Sequence, residues 1–378
     1  MGTSQRTVNV LLIGIGTVGG ALAEQMLDGW ERWRSRLGLD LAVRSVAGQG
    51  GASAPSKPLE ADTLRHLVEA RRSGRPFASV AHDAGIALNP VEVVVDELVS
   101  MGPVIVVDAA AGDRTAAGDA YALRAGCGVV LSNKAPLALT LDDDAGKTLW
   151  SETGLDGRLR YEASCGAGLP VFSTLRALLD TGDRVIEIQG AVSGTLGAIF
   201  SDLADGASFS AAVHAAMANG FTEPDPRDDL SGLDVARKAL ILARTLGVHV
   251  DLTDIAIEGL VPDHLSAANG VGVAEFLERS TELDANLAAR VTAARGEGRS
   301  LRYVATVTPD APPVVGIVAA PAASALGGLR GPENALSIRT ERYDAFPLAI
   351  SGPGAGAAVT AAGMLADILA LSLGPLAR

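Results

Sequence analysis

Asp234 and Lys238 are an acid and a base four residues apart in a stretch with helical periodicity. On an α-helix this spacing brings both side chains to one face, and the acid-first order favours an ion pair. On a solvated surface the pair would contribute only about a few tenths of a kcal/mol, whereas at the rim of a buried face the lysine could transfer a proton. The spacing leaves both interpretations open. The same helical wheel places Arg237 and Arg244 opposite the apolar arc, on the expected solvent side.

An acidic loop precedes this helix. Its carboxylates are Glu223, Asp225, Asp228 and Asp229. Pro224 and Pro226 fix the backbone φ at two positions, which predicts a rigid loop. Placement at a helix start explains Asp228 and Asp229 through the helix dipole, but it explains Glu223 poorly. The loop is therefore a candidate site for a substrate that carries an ammonium group.

Gly14, Gly16 and Gly19 form a G-x-G-x-x-G pattern between an apolar run at 8–13 and a helical pattern. In such a turn the first glycine permits the tight bend, the second lets the backbone approach a pyrophosphate, and the third lets helix and strand pack closely. The helix N-terminus then faces the phosphates. The order of strand, glycine turn and helix predicts a dinucleotide site, with a purely structural turn as the alternative.

Further apolar runs at 41–47, 103–110 and 127–133 alternate with helix-like stretches. This alternation predicts a parallel sheet, and the fold class is α/β with a Rossmann-type nucleotide-binding domain over residues 1–150. Lys134 follows the third run, where the ends of parallel strands face the ligand crevice. Position alone also allows an ordinary solvated loop lysine there.

The end of the second strand bears on the choice of cofactor. It reads Gly48-Gln49-Gly50, without the acidic residue that usually binds the ribose hydroxyls of NAD. Lys57 and Arg44 are nearby cations that could meet a 2′-phosphate, so the sequence favours NADP, with NAD possible. The alternative is that both are ordinary surface charges.

The second half of the chain mixes the two periodicities. Strand-like stretches lie at 183–195, 301–308 and 312–321, and helix-like stretches lie at 209–219, 231–246 and 273–294. They predict a mixed α+β domain over residues 151–340, with a role in substrate binding and dimerisation. Residues 341–378 repeat the order of strand, glycine turn and helix, and we expect this segment to return to the first domain.

Composition limits the possible functions. The 378 residues are 48% hydrophobic, which suits a folded chain of more than one domain. The net charge of −13 argues against nucleic-acid binding, which needs a concentrated basic surface. The sequence contains neither a long apolar run nor a signal-peptide pattern, so we expect no membrane span and a cytoplasmic location. Cys127 and Cys165 lack zinc-type spacing and are expected to be reduced and structural.

The segment AAMANGFTEPDPRDDLSGLDVARK resembles the signature of the homoserine dehydrogenase family. Six further segments resemble that family in the same order and cover nearly the whole chain: LLIGIGTVGG, SNKAPLAL, YEASCGAGLP, VSGTLGAIF, ENALSIRTERY and GPGAGAAVTAAGMLADIL. The resemblance implies reversible, NAD(P)-dependent reduction of L-aspartate 4-semialdehyde to L-homoserine, in the biosynthesis of threonine, methionine and isoleucine. It also implies a homodimer. We expect a short monofunctional member without a kinase or regulatory domain.

The resemblance also implies residue roles. Lys238, supported by Asp234, would exchange a proton with the carbonyl oxygen, and Lys134 would be a second catalytic lysine near nicotinamide and substrate. Glu223 and Asp229 would hold the ammonium and hydroxyl ends of the substrate. The implied cofactor residues are Gly14, Gly16, Thr17, Val18, Gly19, Lys57, Lys134 and Gly356. The implied site for a monovalent cation, expected to be sodium, is formed by Glu162 and the carbonyls of Cys165, Ala167 and Leu169.

The chain departs from the family pattern at three places. Residues 109–112 read Ala-Ala-Ala-Gly where members typically have a Thr-Ser type pair, Gly197-Ala198 replaces a polar residue and often an aromatic one, and Phe221 replaces a frequent tyrosine. These departures keep two alternatives open. One is a paralogous dehydrogenase acting on a different small amino aldehyde or amino alcohol, and the other is a non-catalytic dinucleotide-binding protein.

Overall fold

The computed structural model describes residues 5–54, 57–151 and 157–377. The chain divides into two compact units. The first contains residues 1–172 and 356–378, and the second contains residues 173–355. The chain passes from the first unit to the second after residue 172 and returns to the first after residue 355. The domain borders predicted from the sequence lie at 150 and 340, and they stay predictions about functional domains.

The strands and helices are numbered here in chain order. The strands are β1 (Arg6–Ile13), β2 (Leu39–Gly48), β3 (Gly51–Ser53), β4 (Leu88–Asn89), β5 (Val104–Asp108), β6 (Gly128–Leu131), β7 (Leu159–Arg160), β8 (Val185–Ala191), β9 (Ala256–Ile257), β10 (Arg299–Thr308), β11 (Ala311–Pro321), β12 (Glu333–Thr340) and β13 (Leu348–Pro353). The helices are α1 (Thr17–Leu37), α2 (Ala61–Arg72), α3 (Phe77–Asp83), α4 (Val91–Met101), α5 (Ala116–Arg124), α6 (Lys134–Leu137), α7 (Asp144–Ser151), α8 (Val171–Asp180), α9 (Gly194–Asp205), α10 (Phe209–Ala218), α11 (Pro226–Leu230), α12 (Leu233–Thr245), α13 (Val273–Arg279), α14 (Asp284–Gly296) and α15 (Ala357–Leu373).

In the first unit, the described strands form one sheet in the order β4-β3-β2-β1-β5-β6-β7. The strands β2, β1, β5, β6 and β7 run parallel, and β3 and β4 extend the edge in antiparallel pairing. The chain leaves β1 toward β2 on one side and later returns to β5 on the other. Ligands of such sheets bind outside the carboxyl ends of the strands at this switch point. The Rossmann-type α/β fold predicted from the sequence is thereby confirmed.

The core of the first unit joins both ends of the chain. Val10 and Leu12 of β1, Leu22 of α1, and Met364 and Ile368 of α15 belong to one cluster of buried side chains. The C-terminal helix α15 thus packs in the first unit, against α1. Burial of each side chain of this size stabilises the folded unit by about 1.5–3 kcal/mol.

In the second unit, the described strands form a mixed sheet in the order β13-β12-β8-β10-β11-β9. Its neighbours pair antiparallel, except for the parallel pair β11 and β9. The helices α9, α12 and α14 pack against β10. This mixed sheet with helices confirms the predicted α+β character of the second half of the chain.

Two sequence-based expectations are corrected here. The helix expected over 273–294 is interrupted, because a 3-10 turn at Ser280–Leu283 separates α13 from α14. Arg244 does not face solvent. It is 5% exposed and donates hydrogen bonds to the Val250 carbonyl at 3.0 Å and to Asp251 at 2.6 Å. A guanidinium with such partners can be buried on a helix whose pattern places it opposite the apolar arc.

Arg302 on β10 is a buried arginine that ties the sheet to two neighbouring segments. It is 3% exposed. Its guanidinium donates to the carbonyl oxygens of Phe200, Leu301, Leu326, Gly327 and Leu329. Burial lowers the pKa of Arg302, but the residue stays charged because carbonyl oxygens surround it.

We predict that Arg302→Met lowers the free energy of unfolding by about 2–4 kcal/mol, because several buried carbonyl oxygens lose their donor. Arg299→Met is the matched control on the same strand, since the Arg299 side chain is 45% exposed. It should change the stability by less than about 0.5 kcal/mol. Urea unfolding of both variants measures the difference, and equal midpoints would contradict the role assigned to Arg302.

Candidate functional site

The glycine turn after β1 depends on close backbone contacts. Gly14 has φ +83°, and a Cβ there would lie 2.8 Å from the Ala110 nitrogen. A Cβ on Gly19 would lie 1.9 Å from the Gly14 carbonyl oxygen. Gly16 differs, because a Cβ there meets no atom within 4 Å. The turn is therefore closed toward the sheet and open on the side of Gly16.

The helix that follows the turn begins with unsatisfied backbone donors. No side chain caps α1 at Gly16. Thr17 is exposed and Val18 is half-buried at this N-terminus. Backbone N–H groups and the helix dipole at such a position suit an anion. The open space and the N-terminus of a 21-residue helix fit a pyrophosphate group.

The carboxyl ends of β5 and β6 carry a connected set of polar groups. Asp108 ends β5 and accepts hydrogen bonds from the Ala110 N–H at 2.8 Å, the Thr115 hydroxyl at 2.7 Å and the Asn133 amide at 3.2 Å. Asn133 also caps α6 by accepting from the Ala135 N–H. Lys134 is the first residue of α6, so this network fixes the backbone that carries it.

The end of β2 carries no carboxylate. Gly48 ends the strand, and exposed Gln49 and Gly50 form the turn into β3. Arg44 lies inside β2 and donates to the Asn9 side chain at 2.6 Å, so its guanidinium already has a partner. Lys57 is exposed in the connection that leads to α2. Of the two cations considered from the sequence, Lys57 is the one in an exposed connection.

The segment around Glu162 combines a buried carboxylate with a distorted backbone. Glu162 is 3% exposed, and its Oε1 accepts a hydrogen bond from the Phe172 N–H at 2.7 Å. Among the described residues, Ala167 is the non-glycine residue with positive φ, at 56°. Non-glycine residues in this region often mark a functional constraint. The carboxylate and the irregular turn through 165–169 fit a small cation bound by oxygen atoms.

Gly356 lies at the start of α15, within the first unit. Its φ is +129° and it occupies the N-cap position. Gln25 of α1 donates to the Ala358 carbonyl at 2.8 Å and so fixes this helix start. A Cβ on Gly168 would lie 2.2 Å from the Val359 carbonyl oxygen. The segment around Glu162 and the start of α15 are therefore packed closely together.

In the second unit, Asp229 organises the acidic loop. It accepts hydrogen bonds from the Glu223 N–H at 2.8 Å and from the Thr195 hydroxyl at 2.9 Å. The same hydroxyl lies within hydrogen-bonding distance of the Phe221 carbonyl, so the two oxygen atoms share its single proton. The Glu223 side chain is exposed. Sequence reasoning overlooked Thr195, whose signal was the Ser-Gly-Thr helix start in which Ser193 caps α9.

Asp225 and Arg227 make the acidic loop rigid. Asp225 caps α11 and pairs with Arg227 at 2.6 Å, and this hydrogen-bonded guanidinium lowers the pKa of Asp225. Arg227 is 8% exposed and also donates to the Val271 carbonyl at 2.7 Å. Asp225, which sequence reasoning left without a role, thus connects the loop to a distant segment. Asp228 is exposed.

Asp234 and Lys238 form the ion pair that their spacing predicts, at 2.7 Å. The Lys238 side chain is 11% exposed and that of Asp234 is 46% exposed. The Lys238 ammonium also donates to the Val192 carbonyl at 2.6 Å. A buried ammonium between a carboxylate and a carbonyl is not a solvated surface pair.

In the second unit, the Asp234–Lys238 ion pair and the acidic loop both contact the turn at 192–195. Lys238 binds Val192 and Asp229 binds Thr195, and both partners belong to the connection from β8 into α9. The turn at 192–195 therefore fixes the ammonium of Lys238 and the carboxylate of Asp229 in one region. The region contains the ammonium of Lys238 and the carboxylates of Asp229 and Asp234. Groups of both charge signs suit a small polar substrate that also carries both charges.

Both cysteines of the sequence lie in the described part of the chain. Neither Cys127 nor Cys165 forms a disulfide there, and both are buried. Burial raises the pKa of the Cys127 thiol to about 12. Within the described ranges, no group of three His, Cys, Asp or Glu side chains could hold a metal ion. None of the described helices has the length and apolar character needed to cross a membrane.

Comparisons with known proteins agree on one family. A family model described as homoserine dehydrogenase matches residues 170–369. The chain is 34% identical over 376 residues to the homoserine dehydrogenase of Saccharomyces cerevisiae, covering 98% of this chain and 99% of that one. It is 35% identical over 375 residues to the chloroplastic bifunctional aspartokinase/homoserine dehydrogenase 2 of Arabidopsis thaliana, covering 98% of this chain. The chain spans 39–43% of the length of the bifunctional relatives.

A solved structure agrees with these relatives in fold. A hyperthermophilic archaeal homoserine dehydrogenase in complex with NADPH superposes with a TM-score of 0.71 and 24% identity. The match covers 97% of this chain and 98% of that one. At this identity the likeness concerns the fold alone.

We predict that Gly19→Ala lowers the free energy of unfolding by about 1–3 kcal/mol, because the added Cβ collides with the Gly14 carbonyl. Without this contact, alanine inside a helix would stabilise by about 0.5–1 kcal/mol, so the clash decides the sign. Gly16→Ala is the matched control, and it should change stability by less than about 1 kcal/mol. Thermal unfolding checks both, and an unchanged Gly19→Ala variant would refute the close packing.

Proposed function

The chain belongs to the homoserine dehydrogenase family, and we propose that it catalyses the reversible, NAD(P)-dependent reduction of L-aspartate 4-semialdehyde to L-homoserine. The observation that carries the proposal is the buried ammonium of Lys238, held by Asp234 and the Val192 carbonyl. It lies in the same unit as the acidic loop, and both attach to the turn at 192–195. The yeast relative named homoserine dehydrogenase, aligned over nearly its full length, supports the same reaction.

Lys238 is suited to proton transfer with the carbonyl oxygen of the substrate. The bound nicotinamide cofactor supplies the hydride that reaches the aldehyde carbon. Negative charge then develops on the oxygen, and an ammonium with restricted access to water stabilises it and donates the proton. Asp234 keeps the ammonium in place at 2.7 Å. In the reverse direction the same lysine accepts the proton from the hydroxyl group.

Glu223 and Asp229 are proposed to bind the ammonium and hydroxyl ends of the amino acid. The exposed carboxylate of Glu223 can meet an ammonium, and its backbone N–H is fixed by Asp229. Asp229 in turn is oriented by Thr195. Pro224 and the ion pair of Asp225 with a buried arginine keep the loop rigid. A preformed loop lowers the entropic cost of binding a small substrate.

The first unit is proposed to bind the dinucleotide. The residues that would hold it are Gly14, Gly16, Thr17, Val18, Gly19, Lys57, Lys134 and Gly356. The open space at Gly16 and the uncapped start of α1 suit the pyrophosphate. The absence of a carboxylate at Gly48, together with exposed Lys57, supports a preference for NADP over NAD. Lys134 is proposed as a second catalytic lysine, near the nicotinamide and the substrate.

Glu162 and the carbonyls of Cys165, Ala167 and Leu169 are proposed to bind a monovalent cation, with sodium as the preferred ion. The buried carboxylate at Glu162 and the positive φ of Ala167 support this proposal. The cation would neutralise a buried negative charge next to the start of α15. Dialysis against lithium, sodium or potassium chloride, followed by thermal unfolding, tests which ion stabilises the protein.

We also propose that the protein is a cytoplasmic homodimer that associates through its second unit. Glu187, Gln189, Ser337 and Arg339 line a cavity on the mixed sheet. Polar side chains on a sheet face next to apolar ones suit an interface with a polar rim. Light scattering coupled to gel filtration measures the mass directly, and a monomeric mass at micromolar concentration would rule out the dimer.

A paralogous activity is the second candidate, and a specific observation favours it. Residues 109–112 carry no polar side chain, and Gly197-Ala198 and Phe221 alter the residues around the turn at 192–195. A different small amino aldehyde or amino alcohol could therefore be the substrate. Turnover with a panel of such compounds separates this candidate from the first, and NADPH binding without turnover on any compound would indicate a non-catalytic protein.

Oxidation of NADPH in the presence of L-aspartate 4-semialdehyde tests the main proposal. We expect consumption of NADPH and formation of homoserine in equal amounts. A folded protein that binds NADPH and shows background turnover with this aldehyde would refute it.

We predict that Lys238→Met lowers kcat by about 10²–10⁴-fold, because it removes the proton donor. Lys147→Met is the matched control, since Lys147 is an exposed lysine on α7. It should leave kcat and KM unchanged. Steady-state kinetics with both variants, after circular dichroism has shown native folding, checks the prediction. Wild-type turnover of the Lys238 variant would exclude the proposed mechanism.

We predict that Lys57→Ala raises the KM for NADPH by about 5–20-fold, because it removes a cation from the 2′-phosphate. The KM for NADH should stay the same, since NADH lacks that phosphate. The ratio of kcat/KM for the two cofactors measures the effect. Equal changes for NADPH and NADH would show that Lys57 does not select between them.

A further inference from the structure

Asp119 on α5 is a buried carboxyl group that the proposed reaction does not use. It is 0% exposed. Within the described ranges, neither of its oxygens receives a hydrogen bond from an N–H or O–H donor. Burying an ionised carboxylate without hydrogen-bond donors to replace its hydration would cost about several kcal/mol. Asp119 therefore favours its neutral form, in which it can donate a hydrogen bond.

Asp119 lies one helical turn after Thr115, because its N–H donates to the Thr115 carbonyl at 2.9 Å. The Thr115 hydroxyl donates to Asp108 at 2.7 Å, so this helical turn places the carboxyl group of Asp119 on the side of Asp108. Burial raises the pKa of Asp119 well above its ordinary value, and repulsion from Asp108 raises it further. Burial also raises the pKa of Asp108, but three donors oppose this shift: Thr115, Ala110 and Asn133. The asymmetry assigns the proton to Asp119 and the charge to Asp108.

Other charged groups do not change this assignment. The charged residues on the helices packed against α5 are Glu92, Asp96 and Glu97 on α4 and Asp144 and Lys147 on α7, and all are exposed. Asp96 accepts from Tyr121, and Asp144 accepts from Arg124. Cys127, before β6, stays a neutral thiol because its pKa is about 12.

The loop that follows β5 is held by Asp108, by the Asn133 amide at the Gly112 carbonyl and by the Ala109 N–H, which donates to the Ile13 carbonyl. Residues 109–112 are Ala-Ala-Ala-Gly and have no polar side chain of their own. Asp108 holds the loop through the Ala110 N–H and the Thr115 hydroxyl. The same loop touches the glycine turn, because the Ala110 nitrogen would lie 2.8 Å from a Cβ on Gly14. Its position therefore sets the width of the crevice at the switch point of the sheet.

We propose that Asp119 is a positioning residue for dinucleotide binding. As the neutral acid it donates a hydrogen bond to Asp108, which then holds the loop 109–115 beside the glycine turn and orients Asn133 at the start of α6. The inference rests on the proposed function, because it assumes that this crevice binds NADP. It adds a proton-dependent contact to a loop in which alanines replace side chains that could form hydrogen bonds.

The proton gives this contact a defined pH dependence. The pKa of Asp119 in the folded protein lies above its unfolded value of 3.8. The stabilising contribution is therefore fully present below about that value and decreases as the pH rises through the folded pKa. Loss of the proton leaves two buried carboxylates side by side, and their repulsion displaces the loop. NADPH binding to the wild type should therefore weaken as the pH rises through the folded pKa of Asp119.

Asp119→Asn and Asp119→Ala separate the donor from the charge. Asparagine can donate to Asp108 but cannot ionise, so NADPH should bind with a Kd within about twofold of the wild type and without the alkaline decrease. Alanine has no donor, and the Kd should rise about tenfold. Asp183→Ala is the matched control, because Asp183 is a buried aspartate of the second unit, 4% exposed. It should lower the melting temperature and leave the Kd unchanged.

Titration of NADPH between pH 6 and pH 9 by fluorescence measures these values, and infrared spectroscopy of the wild type should show a carboxylic-acid band that Asp119→Asn lacks. A wild-type Kd in Asp119→Ala, or an equal loss in Asp119→Asn and Asp119→Ala, would overturn the inference. If the wild type binds no NADPH, the proposed function fails. The infrared band and the melting temperatures of the Asp119 variants then still decide whether Asp119 carries the proton.

Discussion

The burial of one ammonium group constrains the second unit. Lys238 can occupy a buried position only because Asp234 supplies a carboxylate and Val192 supplies a carbonyl oxygen. Asp234 comes from the same helix, so helix formation brings it into place, but Val192 requires α12 to pack against the mixed sheet. The turn at 192–195 then also holds the acidic loop through Thr195. The candidate site is therefore complete only where α12, the acidic loop and the mixed sheet are packed together.

In the first unit the corresponding constraint is close backbone packing at the switch point. Gly19 lets α1 approach the end of β1, and Gly14 lets the loop after β5 approach the same turn. Glycine provides the space, but it provides no hydrogen bonds that would hold the loop. Asp108 at the end of β5 accepts hydrogen bonds from three donors, and Asn133 donates to the Gly112 carbonyl; together these two residues hold the loop. The space for close packing thus comes from the glycines after β1, whereas the hydrogen bonds come from residues at the carboxyl ends of β5 and β6.

Local patterns predicted the features that depend on neighbouring residues. The glycine turn and the pair of Asp234 with Lys238 were readable because helix and turn geometry fix contacts across a few positions. The partners Thr195 and Asp229 lie 34 residues apart, and Arg227 reaches a carbonyl 44 residues away. No periodicity in the sequence encodes such contacts, since they form only when the sheet and its helices pack.

The same reason explains why the helical wheel misplaced Arg244. A helical wheel shows only on which face of the helix a side chain lies. Burial depends on the partners that the tertiary structure supplies. After α12 the chain brings the Val250 carbonyl and Asp251 to the guanidinium of Arg244. The helix expected over 273–294 is a related case, because a 3-10 turn at Ser280–Leu283 separates α13 from α14.

The buried cations of the second unit differ in side-chain chemistry. In the described part of the second unit they are Arg227, Lys238, Arg244 and Arg302. The three guanidinium groups donate to carbonyl oxygens or aspartates and cannot release a proton near neutral pH, so they serve as fixed cross-links. A lysine carries a single ammonium group in place of the guanidinium fork. Lys238 also differs in its partner, because half-exposed Asp234 connects the buried ammonium to the solvent side. These differences support the proposal that Lys238, among these buried cations, acts as the acid and base.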